Sequence, residues 1–266
     1  RAVRADRSAR AVRAVRASRQ PTASALPAQR GQAYGHTMAE VEGPGSGPND
    51  AQGAYWEARS GSWIASEPWW LSTVAGPFGA AAIELLDPRP GQHLLDIGCG
   101  TDPTTVRVAK MLDPGGSITG VDISSSMIDA ARRRAADAGA GNATFAVADA
   151  QVADLGAATL DGVISQFGIM FFSDPTAAFA NIANAVRPGG RIAFACWQEL
   201  GRNEWMLVPG AAAAGVTGQA PTMAEPGAPG PFSLIDPERI RTVLTDAGWV
   251  DVEISDVSTD VVVAAD

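Results

Sequence analysis

Gly98 and Gly100 follow directly on a short apolar run, His93–Ile97, and two aspartates, Asp122 and Asp149, close later apolar runs. Glycines at such a turn let the backbone approach a ligand closely, and the N–H groups of the next helix face a carboxylate or phosphate. Asp122 lies 24 residues after Gly98, at the end of Ser117–Ile123. A carboxylate in that place accepts hydrogen bonds from both hydroxyls of a ribose. Asp149, in the segment VADAQ, is placed to accept from an adenine amino group while the backbone N–H of Ala150 faces a ring nitrogen. Each feature also has an ordinary reading as a tight turn, an exposed strand end or a helix cap. Their combination points to a nucleoside-bearing ligand.

The elements that must hold these residues are legible in the apolar pattern. Strands are expected at His93–Ile97, Ser117–Ile123, Ala143–Val147, Gly162–Ser165, Arg191–Cys196 and Val250–Ser255. Helices are expected from Ala51 to about Leu86, and over Thr104–Leu112, Ser125–Ala138, Asp174–Val186 and Asp236–Gly248. Ser, Asp-Pro and Gly stand at the helix ends where capping prefers them. Strands alternating with helices imply an α/β fold of Rossmann-like, doubly wound type. A single domain with a mostly parallel sheet and helices on both faces follows. Ligands bind such sheets at the carboxyl ends of the strands, where every residue named above lies.

The segments LLDIGCGT, TGVDISSSMIDAAR, TFAVADAQ, DGVISQFGIMFFSDP and NAVRPGGRIAFACW resemble the class I S-adenosylmethionine-dependent methyltransferase family, in particular its quinone-biosynthesis-like branch. The resemblance runs from about Tyr55 to Val263. It implies S-adenosylmethionine as cofactor and methyl transfer to a small, apolar or aromatic acceptor by in-line displacement. It also implies that Asp96 and the loop Gly98, Cys99, Gly100 and Thr101 hold the methionine part. Asp122 would bind the ribose, Ile123 and Met127 would flank the adenine, and Asp149 with Ala150 would read its edge. Gln166 would lie near the methionine part or the acceptor. Met127 reads equally well as a core residue. The family usually has glycine where this chain has Asp102, and the expectation is that Asp102 weakens cofactor binding. Members also commonly end with an antiparallel strand pair. Only one clear late strand precedes Asp266, so a lacking last strand would leave a bare sheet edge.

Methyl transfer from a sulfonium needs alignment more than acid–base help. His93 opens the first strand, far from the ligand end, so no catalytic base is assigned. The aromatic group Tyr55, Trp56, Trp63, Trp69 and Trp70 reads either as a lid, with a cation–π contact to the sulfonium, or as plain packing of a helix on the sheet. A Gly-, Pro- and Ala-rich insertion at about 198–235, with Trp205 and Met206, is a second candidate acceptor wall. A dehydrogenase is disfavoured because Pro103 breaks the G-x-G-x-x-G spacing. A non-catalytic binding or regulatory protein of the same fold stays open.

The net charge of −9 hides two populations. Residues 1–37 hold eight Arg and one Asp, a net of +7, which leaves 12 basic and 28 acidic residues, −16, for the remainder. Such an acidic body repels phosphate backbones, so nucleic acid is not expected as substrate. No apolar run reaches the roughly 18 residues of a membrane span. The two cysteines, Cys99 and Cys196, are far apart and fit a reduced, cytoplasmic protein, and no metal site is expected. Arginine recurs at every third position from Arg1 to Arg19, which as a helix gives no apolar stripe. A nucleic-acid or membrane arm and a transit peptide compete with an unstructured extension. The last is adopted: residues 1–50 are expected to be a disordered basic, then Gly/Pro-rich extension, and 51–266 the methyltransferase domain. The oligomeric state is not readable.

Overall fold

The computed structural model describes residues 8–20, 47–70, 74–101, 103–218 and 227–261. Seven strands form one sheet: β1 Ser8–Arg19, β2 His93–Ile97, β3 Ser117–Asp122, β4 Ala143–Val147, β5 Leu160–Gln166, β6 Val186–Trp197 and β7 Trp249–Val261. Their order across the sheet is β4-β3-β2-β5-β6-β1-β7. The five strands β4 to β6 pair in parallel, while β1 runs antiparallel to both of its neighbours. The order reverses beside β2, with β3 on one side and β5 on the other, the place where doubly wound sheets bind ligands.

The helices are α1 Asp50–Trp70, α2 Gly76–Leu86, α3 Pro103–Leu112, α4 Ser125–Asp137, α5 Pro175–Ala185, α6 Glu204–Thr217 and α7 Pro237–Asp246. Successive strand residues point to opposite faces, and the core divides accordingly. Leu94, Ile118 and Ile164 pack with Ile83 and Leu86 of α2 and Val108 and Leu112 of α3. Leu95, Val163 and Ile192 pack with Phe179 and Ile182 of α5 and Ile240 and Leu244 of α7. The expected caps hold: the side chains of Ser124, Asp174 and Asp236 accept backbone N–H groups at the starts of α4, α5 and α7.

The N-terminal tract corrects the sequence expectation. Ser8–Arg19 is not outside the fold but an interior strand, paired from Val12↔Trp197 to Ser18↔Arg191 with β6 and from Ser8↔Val261 to Arg19↔Trp249 with β7. A helical period finds no stripe in this tract. A central strand covered on both faces asks instead for small and β-branched residues on each side, and Val12, Ala14, Val15 and Ala17 are all fully buried. Arg13, Arg16 and Arg19 each find a partner, although Arg13 Nε is buried without a hydrogen bond among the described residues. Arg13 donates to the Ile235 carbonyl and lies 3.6 Å from Asp256. Arg16 pairs with Glu253 at 2.5 Å, and Arg19 donates to the Val186 carbonyl. The acidic strand β7 thus answers the basic β1. The bare sheet edge that a lacking last strand would leave is occupied by β1. The insertion at 198–235 contains helix α6. Asp102 lies outside the described residues, as do residues 219–226 of the insertion.

Candidate functional site

Each segment that bears a candidate residue leaves the sheet at the same end. After β2 the chain turns through Gly98 and Gly100, both at positive φ (+63° and +60°), where glycine carries no penalty. Gly98 also meets Gly168 after β5: a Cβ on either would stand 2.6 Å from the other's Cα. Two backbones therefore touch at the floor of the site, and neither admits a side chain. Asp122, at the end of β3, accepts from Gly100 N at 2.8 Å and Ser124 N at 2.9 Å, locking the glycine loop to the next turn. Burial pushes its pKa up against those hydrogen bonds, and the Glu57 charge adds to the rise.

Asp96 is buried beneath the loop, with Thr105 Oγ1 donating to it at 2.9 Å. Burial, aided by the charge of Asp122, raises its pKa to about 7 despite the Thr105 hydrogen bond. Thr101 is buried, and its hydroxyl has no hydrogen-bond partner among the described residues. A buried orphan hydroxyl costs on the order of 1–3 kcal/mol unless something answers it. Gln166 bridges two helices, accepting from Thr104 Oγ1 at 2.9 Å and donating to the Ala75 carbonyl at 2.6 Å.

Asp149 receives the Asn49 side-chain amide at 3.0 and 3.1 Å, an NH₂ donor of the same kind as an adenine amino group. The same amide reaches Gln151 Oε1 at 3.0 Å, and Ser173 N donates to Asn49 Oδ1 at 2.8 Å. Gln151 N also donates to Oδ1 at 3.0 Å, so Oδ2 is the oxygen that keeps a further lone pair, and Asn49 orients Asp149 without exhausting it.

Helix α1 lies across this end. Glu57 caps α4 from outside, accepting from Ser124 Oγ at 2.6 Å, Ser126 N at 3.2 Å and the Ser126 hydroxyl. Partial burial raises its pKa, but these hydrogen bonds outweigh it and hold the carboxyl below its ordinary value. The arrangement is an anion on a helix N-terminus, supplied by the chain itself.

Two cavities, of about 140 and 310 Å³, open side by side here. The smaller is lined by Asp122, Ile123, Met127, Asp149 and Ala150, and Met127 is both buried and part of this wall. The larger is lined by Asp96, Cys99 and Thr101, and beyond them by Trp70, Trp197, Trp205 and Met206. Gly98, Gly100 and Gln166 line both. All eleven candidate residues therefore meet at one place. His93 does not: it hydrogen-bonds Ser117 Oγ at the opposite end of the sheet. Neither cavity is lined by His, Lys or Arg among the described residues.

Sequence reading missed Asn49, Glu57, Phe167 and Phe171. The Ser124–Ser126 run was the one sign of a place that receives a carboxylate. Phe167 gave none. It sits at φ +69°, strained for a bulky residue, held by its N–H on the Ala195 carbonyl and by stacking on Trp197 at 4.2 Å.

Among the described residues no helix is long and apolar enough to cross a membrane, and no cluster of metal-ligating side chains occurs. Residues 94–190 match the family described as a methyltransferase domain. The nocamycin O-methyltransferase of Saccharothrix syringae is 34% identical over 116 residues, 44% of this chain and 41% of that protein. The aklanonic acid methyltransferase of a Streptomyces species is 33% identical over 118 residues, 44% of this chain and 54% of that protein. The chain thus spans about half the length, or less, of these curated relatives. A methyltransferase structure from Aquifex aeolicus shares the fold at TM-score 0.52 and 17% identity, covering 70% of this chain and 87% of that one. With its motifs at the carboxyl ends of successive strands, its matched domain and this sheet order, the chain is similar over residues 94–190 to the class I S-adenosylmethionine-dependent methyltransferases.

Proposed function

We propose that the protein transfers the methyl group of S-adenosylmethionine to a small, apolar or aromatic acceptor. The observation that carries this reading is the convergence of Asp122 and Asp149 in one cavity, joined to a second that contains Asp96 and the orphan Thr101 hydroxyl. Those residues fit the cofactor. Asp149 and Ala150 suit an adenine edge, Ile123 and Met127 its faces, and Asp122 a ribose diol. Asp96 suits the ammonium of the methionine part, and the Thr101 hydroxyl suits its carboxylate. When bound, the cofactor supplies an activated methyl group. The chain's own part is to orient the two reactants and exclude water between aromatic walls.

The larger cavity takes the acceptor. Its walls are Trp70, Trp197, Trp205 and Met206, which suit a flat apolar molecule better than a charged one. Among the described residues no His, Lys or Arg lines it, so the acceptor in this reading carries an atom that is nucleophilic without a strong base. Two relatives are named as methyltransferases of nocamycin and of aklanonic acid, in keeping with such a molecule. The test is calorimetric binding of S-adenosylmethionine, followed by a product-mass screen against phenols, quinols and related acceptors. Saturable binding and a 14-Da gain on a small aromatic molecule are expected. Failure to bind the cofactor would overturn the reading.

A further inference from the structure

Seven of the described residues line both cavities: Trp56, Trp63, Phe167, Phe171, Gln166 and the glycines 98 and 100. Four are aromatic and none is charged. The Gln166 amide is already engaged with Thr104 and Ala75. The neck between the cavities is therefore an aromatic passage. Trp56 meets Trp63 edge-to-face at 5.7 Å and Phe171 at 5.1 Å. Trp63 stands over the glycine loop, its indole nitrogen 3.9 Å from where a Cβ on Gly100 would be. Both tryptophans ride on α1, and both are half-buried.

We propose that Trp56 and Trp63 form a sulfonium-selective neck, which grips S-adenosylmethionine and releases S-adenosylhomocysteine. This rests on the cofactor reading above. A ligand with its nucleoside in the first cavity and its amino-acid end at the glycine loop must pass its sulfur through the neck. Among the described residues that line the neck a cation meets aromatic rings, while Asp122 and Asp96 line the cavities on either side. Ring faces attract a sulfonium by about 0.5–2 kcal/mol and a neutral thioether far less.

In the reaction a lone pair of the acceptor forms the bond to the methyl carbon. The carbon–sulfur bond breaks, its electron pair stays on sulfur, and any acceptor proton passes to water. The sulfur thereby loses its charge, and the neck loses its hold on the product. Since charge is already fading in the transition state, the device acts on ligand exchange rather than on the barrier.

The experiment measures dissociation constants for both ligands, by calorimetry, in the native protein and in Trp63→Leu, Trp56→Leu and Trp63→Phe. The native protein should favour S-adenosylmethionine. In Trp63→Leu and Trp56→Leu that preference should shrink about 3- to 30-fold, with S-adenosylhomocysteine affinity changed less than about 2-fold. Trp63→Phe, which keeps a weaker ring and serves if a leucine variant does not fold, should fall between. A merely structural role would weaken both ligands equally, and an unchanged ratio across the variants overturns the proposal while leaving the cofactor reading intact. A native protein that binds neither ligand overturns both.

Discussion

At the residue scale the site is governed by two buried carboxylates with different partners. Asp96 is buried with, among the described residues, the Thr105 hydroxyl as its donor, and burial holds its proton up to about pH 7. An unfolded chain releases that proton near 3.8. Between those values the folded state binds more protons, so this group's contribution to stability falls as pH rises toward 7. Asp96→Asn should flatten that fall and raise the melting temperature of the ligand-free protein at pH 8. Cofactor binding should respond in the opposite sense. An ammonium beside Asp96 favours the ionised form, so affinity should climb with pH to about 7 and then level off. Calorimetry at pH 6 in two buffers of different ionisation enthalpy should show a proton released on binding, and Asp96→Asn should abolish it. Asp122 is held by two backbone N–H groups and keeps lone pairs for a ribose. Asp122→Ala should weaken cofactor binding about 10- to 100-fold, the worth of charge-assisted hydrogen bonds lost. Titration would check this, and a loss below 3-fold would contradict the ribose role.

At the element scale the decisive piece is α1. Its aromatics were legible as either a lid or plain packing, and the contacts give both: Trp56 and Trp63 line the cavities, while Trp70 packs against Trp197 and Trp205 at 6.1 and 5.2 Å. What joins α1 to the site is Glu57 on the N-terminus of α4. Glu57→Ala removes a carboxylate that answers three donors, but the helix end it leaves is near solvent and can be hydrated. The expected result is local. Amide exchange in residues 50–66 should quicken and cofactor dissociation should speed several-fold, with the melting temperature nearly unchanged. Hydrogen-exchange mass spectrometry and stopped-flow fluorescence would check each part. The helices α3, α4, α5 and α7 were readable to within a residue or two, because apolar periodicity and caps agree in them. Helix α6 was not, since its Ala- and Gly-rich sequence carries no buried residue to impose a period.

At the scale of the whole molecule, β1 joins the two ends of the described chain. Strand β7 reaches the sheet through β1, so the N-terminal strand holds the C-terminal one in place. Val15→Asp would set a carboxylate in a fully buried position opposite Phe194 and Ile254. It should cost more than about 3 kcal/mol, read as a large fall in melting temperature and, with β6 uncovered, self-association in sedimentation. Arg16→Ala removes an exposed pair with Glu253 and should cost less than about 1 kcal/mol. Comparable losses in the two variants would show that β1 does not hold the sheet together.

The sequence by itself determined the parallel half of this protein: the strand-loop-helix units, the glycine turn after β2, and the aspartates that end β3 and follow β4. Those features are local. A strand, its turn and the helix it feeds are specified by a few neighbouring residues, and their common end of the sheet follows from parallel topology. Only the tertiary structure decided the rest. The arginine-rich tract became a strand because β6 and β7, more than 160 residues away, offered two ladders and acidic partners. Glu57, Asn49 and Phe167 joined the site because α1 and the β5 turn fold back over it. Such roles depend on which surfaces meet, and no local pattern in the chain encodes that.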